Sequence, residues 1–171
     1  QLAAIPRDDG RVVTWEDLVA AGVRFLAVDE AQAFKNLQVH SVQGSIAGIP
    51  TGSSQRALDL KMKLDYLLAR GGRGVFATAT PIMNTIGEAY VMLRYLAEAR
   101  LEELGLVSFD AWCQVFAQAV AVYELKPDGS GFRWNTRLAR FQNVPELASL
   151  LRETVHVVGD EDVRLPRPEL V

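Results

Sequence analysis

Six residues, Val23-Arg24-Phe25-Leu26-Ala27-Val28, make a mostly apolar run that stops at two adjacent acids, Asp29 and Glu30. The run is too short for a helix and too continuous for a strand with one wet face. It predicts a central parallel strand buried on both faces. The acids then lie at the carboxyl end of that strand, where open α/β sheets bind their ligands. A second strand is predicted at Val75-Phe76-Ala77-Thr78. Between the two, Gln55–Arg70 places Leu60, Leu64, Leu67 and Leu68 on one helical face, and Gly71-Gly72 end that helix. Strand, helix, strand and a further helix in this order indicate an α/β layer architecture.

The flanking segments fit the same reading. Thr14 is an N-cap for a short helix starting at Trp15, with Glu16 and Asp17 in its first turn, and Gly22 ends it. Phe34–Ser54 reads as loop, broken by Gly44, Gly48, Pro50 and Gly52. Gly87 to about Leu104 predicts one long helix whose buried stripe is Tyr90, Leu93, Leu96 and Leu101. Residues 1–104 are read as one unit and 105–171 as an extension. In the extension, Phe109–Val120 predicts a helix with Trp112, Val115, Phe116 and Ala119 on one side. Val120–Lys126 and Phe132–Leu138 flank the turn-rich Pro127-Asp128-Gly129-Ser130-Gly131 and suggest a hairpin. A last helix starts at Asn143 or Val144 with Pro145 in its first turn. The tail Leu165-Pro166-Arg167-Pro168 reads as extended.

Composition excludes several classes. At 171 residues, 49% hydrophobic and 23% charged, the chain can bury a core and is neither disordered nor collagen-like. One cysteine, Cys113, cannot form an internal disulfide, and two distant histidines, His40 and His156, do not pair into a zinc site. No apolar run approaches the roughly 20 residues of a membrane span. The formal charge of −3 argues against a generally basic nucleic-acid coat but leaves room for a local basic groove. The chain begins at Gln1 with no signal segment, so a cytoplasmic fragment of something longer is expected.

Two adjacent acids past a strand suit phosphate chemistry, which needs one carboxylate for Mg²⁺ and one group to orient water. Alone, an Asp-Glu pair there is also an ordinary solvated turn. The second strand end adds Thr78-Ala79-Thr80-Pro81, whose hydroxyls belong at the same sheet edge. Together, Val28-Asp29-Glu30-Ala31-Gln32, Phe34-Lys35-Asn36 and Thr78-Ala79-Thr80-Pro81-Ile82-Met83-Asn84 resemble motifs II (a DEAH-like box) and III of superfamily 2 helicases. The Lys-Asn and Pro-Ile-x-Asn elements resemble the Swi/Snf-type branch. Ala89-Tyr90-Val91-Met92-Leu93-Arg94-Tyr95-Leu96, Ser108-Phe109-Asp110-Ala111-Trp112 and Asn143-Val144-Pro145-Glu146-Leu147 are similar to large helicase-like proteins of phages and conjugative elements, which often also carry a DNA methyltransferase domain.

The resemblance runs from about Val13 to Pro168 and implies part of a RecA-like ATPase domain acting on DNA with ATP and Mg²⁺. It implies that Asp29 helps hold Mg²⁺, Glu30 activates water, and Gln32, Thr78 and Thr80 link nucleotide state to the DNA side. Gln32 stands where the branch usually has His, Ala79 where Gly is usual, and Met83 where Gln is common. The P-loop pattern Gly-x-x-x-x-Gly-Lys-Ser/Thr is absent, and Gly48–Ser54 reads as a loop without its lysine. The P-loop and a second RecA-like domain with its arginine finger are therefore expected from the rest of a parent polypeptide. A non-catalytic DNA- or protein-binding module derived from such a domain is the competing reading. Arg133, Trp134, Arg137 and Arg140 on the hairpin suggest phosphate contacts and base stacking. The alternative there is a solvated face with Trp134 packed in the core, and the core placement is expected for Trp134. Cys113 is read as a small buried hydrophobe, and Arg70 and Arg73 as compensating a helix C-terminus.

Overall fold

The computed structural model describes residues 5–6, 12–42, 46, 54–159 and 162. The glycine-bearing stretch 47–53 and the Leu165–Pro168 tail lie outside the described residues. A short antiparallel pair, β1 (Ile5–Pro6) and β2 (Val12–Val13), precedes α1 (Trp15–Ala20). Thr14 caps α1 reciprocally. Its hydroxyl accepts the Asp17 amide, and its own amide donates to the Asp17 carboxylate, an arrangement worth about 1 kcal/mol. Trp15 and Val19 pack on Leu67, and the Trp15 indole donates to the Lys63 carbonyl at 2.9 Å.

β3 (Phe25–Val28), α2 (Gln55–Leu68) and β4 (Arg73–Phe76) form the strand–helix–strand unit. The strands are parallel, with Phe25 opposite Arg73 and Val28 opposite Phe76. Leu26, Val28 and Phe76 join Leu60 and Leu64 in the main core. α2 approaches closely at Gly74, where a Cβ would lie 2.6 Å from Leu64 Cδ1 and force that buried side chain to shift. The other face is bare: Phe25 is 56% and Val75 52% exposed. The expected burial on both faces is therefore wrong here. Among the described residues β3 and β4 pair only with each other, and helices cover one side of them. Leu68, expected on the buried stripe of α2, is exposed at the helix's last position. Past it, Arg70 donates to the Tyr66 carbonyl at 3.2 Å and stacks its guanidinium on the Tyr66 ring.

The span predicted as one long helix is two, α3 (Gly87–Leu96) and α4 (Glu98–Glu103), broken at Ala97. Tyr90, Leu93 and Leu101 are buried as the spacing predicts, and Leu96 is half-buried. Just past the break, Glu98 reaches Lys61 Nζ at 2.5 Å and Arg94 Nε at 2.7 Å. Next, α5 (Phe109–Phe116) stops at Phe116 rather than Val120. The alternating sequence after Phe116 pairs instead as β5 (Ala117–Leu125) with β6 (Phe132–Phe141), so Ala119 lies in a strand and not on a helix. A bulge leaves Ala139 without a ladder partner. α6 (Val144–Arg152) closes the described fold. Tyr90, Phe109, Trp112 and Phe116 form one aromatic cluster. Through it, the core runs continuously from β3 to Leu138, Leu147 and Leu150.

Candidate functional site

Asp29-Glu30 and Thr78-Ala79-Thr80 leave the sheet side by side, because β3 and β4 end in register. Two backbone bonds fasten the exits: Ala77 N–H to the Val28 carbonyl at 2.8 Å, and Ala31 N–H to the Ala77 carbonyl at 3.0 Å. Glu30 then turns the chain in the left-handed region, with φ 51° and ψ 47°. A non-glycine residue held there costs about 1–2 kcal/mol. Asp29 Oδ1 accepts the Glu30 amide at 2.9 Å, and a 3-10 turn, Ala31–Phe34, follows.

That turn brings the five strand-end residues into one chain of contacts. The Gln32 side-chain amide donates to the Glu30 carboxylate. Gln32 Oε1 accepts the Thr78 hydroxyl at 2.5 Å, and Thr78 Oγ1 accepts the Thr80 amide at 3.1 Å. Gln is suited to the middle position because one amide can donate to a carboxylate while accepting from a hydroxyl. Asp29, Glu30 and Thr80 are exposed, whereas Gln32 and Thr78 are half-buried.

Beneath this edge lies a residue that the sequence reasoning missed. Glu88, 5% exposed in the first turn of α3, accepts the Met83 and Asn84 amides at 2.6 and 3.1 Å. Its other oxygen pairs with Lys35 Nζ at 3.0 Å. Burial pushes the Glu88 pKa up, but the two amide donors and the Lys35 ammonium outweigh it and hold it below the ordinary value. Glu88 thus pins the loop after Thr80 to the segment after Gln32. No local signal in the sequence marks Glu88, because Lys35 also has Asp29 and Glu30 close by in the chain.

Among the described residues, no three His, Cys, Asp or Glu side chains converge as a metal cage. A single exposed carboxylate at a strand end does fit Mg²⁺, which retains several waters and takes one or two carboxylates plus substrate phosphates. Cys113 is buried, and burial together with the nearby Asp110 carboxylate pushes its thiol up to about 12. It is no nucleophile.

The hairpin separates residues that the sequence grouped. In the β5–β6 register Arg133 opposes Glu124, Arg137 opposes Val120 and Arg140 opposes Gln118, all on one face. Trp134 opposes Tyr123 on the other. Glu124 lies 3.7 Å from Arg133 and 3.9 Å from Arg137. Trp134 is 72% exposed, so the expected core placement is wrong. By register Trp134 shares its face with Leu138, which packs in the core, but it lies four residues further toward the turn, where the ribbon has run past the core.

Comparison with known proteins bears on this arrangement. "Defense against restriction protein B" of Escherichia phage P1 is 28% identical over an alignment 148 residues long that covers 84% of this chain. The chain spans only 6% of that relative's length. No solved structure matches. The model of a family described as a probable helicase domain matches residues 8–157, nearly the whole chain, and the chain belongs to that family.

Proposed function

We propose that the chain is part of the first RecA-like ATPase domain of a Swi/Snf-type DNA helicase or translocase, encoded by a phage or mobile element and acting in the cytoplasm. The observation that carries this reading is the Glu30–Gln32–Thr78 relay joining the carboxyl ends of two parallel strands. The bare face of β3 and β4 supports it, since parallel sheets are covered on both sides, and a larger parent polypeptide would supply the missing strands, the P-loop and the second domain. Bound with ATP, Mg²⁺ would neutralise phosphate charge. Asp29 would hold it. Glu30, kept in position by its αL turn and by Gln32, orients the attacking water and takes up its proton. Gln32 and Thr78 pass any shift of the Thr78–Thr80 strand end back to the Glu30 carboxylate, which couples the hydrolytic site to DNA. Glu30→Gln in the parent protein tests the assignment. Nucleotide affinity should survive, because shape and hydrogen bonding are kept, while turnover falls by about 10²–10⁴. Equal turnover would make Glu30 a structural turn residue, and a parent that binds no nucleotide would make the chain a binding module instead.

A further inference from the structure

Tyr123, Phe132 and Trp134 form a continuous ring surface near the turn of the hairpin, on the face whose base carries the core residue Leu138. Register places Tyr123 opposite Trp134, with Phe132 opposite Leu125 in the adjacent pair on the same side. The Tyr123 and Phe132 rings stack at 5.3 Å and 20°, and the Tyr123 and Trp134 rings meet at 5.1 Å and 46°. All three are more than half exposed. The element that carries them is basic. Lys126, Arg133, Arg137 and Arg140 stand against Glu124 and Asp128 within β5, β6 and their turn, a net of +2 in a chain of −3. At the hairpin base Arg137, Leu138 and Ala139 border a cavity of about 360 Å³ with Asn84, Thr85 and Ile86, the loop that Glu88 holds.

We infer that the Tyr123–Phe132–Trp134 face is a base-stacking platform for single-stranded nucleic acid, with the arginines of the opposite face contacting its phosphates. The inference rests on the function proposed above only for the choice of polymer. Exposed rings carried on a cationic ribbon match a polyanion that presents flat π-faces, and such stacking tolerates any base. A duplex hides its base faces in its own stack, so it engages the arginines and not the rings.

Fluorescence anisotropy on the whole chain without nucleotide tests this, using labelled oligo(dT), an oligo(U) of equal length and a matched duplex over a salt series. Trp134→Ala and Tyr123→Ala should each weaken single-strand binding about 5- to 100-fold, and Trp134→Phe by less, with duplex binding unchanged. The tighter of oligo(dT) and oligo(U) identifies DNA or RNA as the ligand. Each of Arg133→Ala, Arg137→Ala and Arg140→Ala should flatten the single-strand salt slope by about 0.7. Wild-type binding of single strands by both ring variants, with urea midpoints showing them folded, overturns the inference, as does absence of single-strand binding by the unmodified chain. Glu30→Gln should bind single strands normally. Ring-independent binding by the chain beside Glu30-dependent hydrolysis by the parent protein therefore refutes the platform alone, and the converse refutes the hydrolytic assignment alone.

Discussion

Replacing Glu88 by Gln tests whether one buried carboxylate holds the loop between β4 and α3. The Glu88 side chain is 6% exposed and its Lys35 partner 19% exposed. Gln fills the same volume and still accepts from the Met83 and Asn84 amides, but it carries no charge. Removing one partner of a buried ion pair costs about 3–5 kcal/mol, and the partial exposure of Lys35 lets water recover some of that. The two amide bonds also drop from charge-assisted to ordinary strength, about 1 kcal/mol each. These losses overlap, and the net destabilisation works out at about 2–4 kcal/mol. With a urea m-value of about 2 kcal/mol/M, the midpoint followed by circular dichroism should fall by about 1–2 M. A change under about 0.5 kcal/mol, the range of ordinary surface substitutions, would refute the reasoning. Lys35→Met leaves the carboxylate its two amide donors and should cost less, and the double variant should cost about 1–3 kcal/mol less than the sum of the singles. Acid gives an independent check. Because the folded Glu88 pKa is lowered, its contribution is complete above the unfolded value of about 4.3 and disappears as pH falls through the folded value. Glu88→Gln should flatten that acid limb of the stability profile.

Three further outcomes follow from the same geometry. Cys113 should resist thiol reagents in the folded chain at neutral pH and label fully in urea, whereas rapid native labelling would contradict its burial. Acrylamide quenching of tryptophan fluorescence should be largely lost in Trp134→Phe, since Trp15 and Trp112 are buried, and that variant should keep its stability to within about 1.5 kcal/mol. The isolated chain should show no measurable ATPase activity, because a positioned water is useless without phosphate-cradling donors, and robust Glu30-dependent hydrolysis by it would overturn that expectation.

Local periodicity made most of the fold legible. The N-cap at Thr14, the buried Leu60, Leu64 and Leu67 of α2 and the strand that stops before Asp29 each follow from patterns within a few residues, and each is found. The failures share another cause, because each depends on partners distant in the chain. Burial of Phe25 on the second face required a layer that the described residues do not contain. The helix after Phe109 lost its last turn to β6, whose pairing begins at Ala117. Trp134 carries a core residue's chemistry and shares a face with the buried Leu138, and it is exposed because the turn end of the hairpin extends past the core. At the candidate site the residue types were legible, and the adjacency of Asp29, Glu30, Gln32 and Thr78 follows from parallel pairing of the two strands. Glu88 was not legible, since nothing local distinguishes a helix-start acid that meets solvent from one that meets Lys35.

The relay through Gln32 is the center of the account, and DNA stimulation of ATP hydrolysis by the parent protein tests it most directly. Gln32→Leu removes both the donor to Glu30 and the acceptor for Thr78, and Thr78→Val removes the hydroxyl while keeping the shape. Each variant should lose DNA stimulation by a larger factor than basal hydrolysis, which the αL turn at Glu30 still supports. The double variant should be no worse than the more impaired single one, because both act on one chain of contacts. Stimulation equal to wild type in both single variants, or losses that simply add in the double, would contradict the relay.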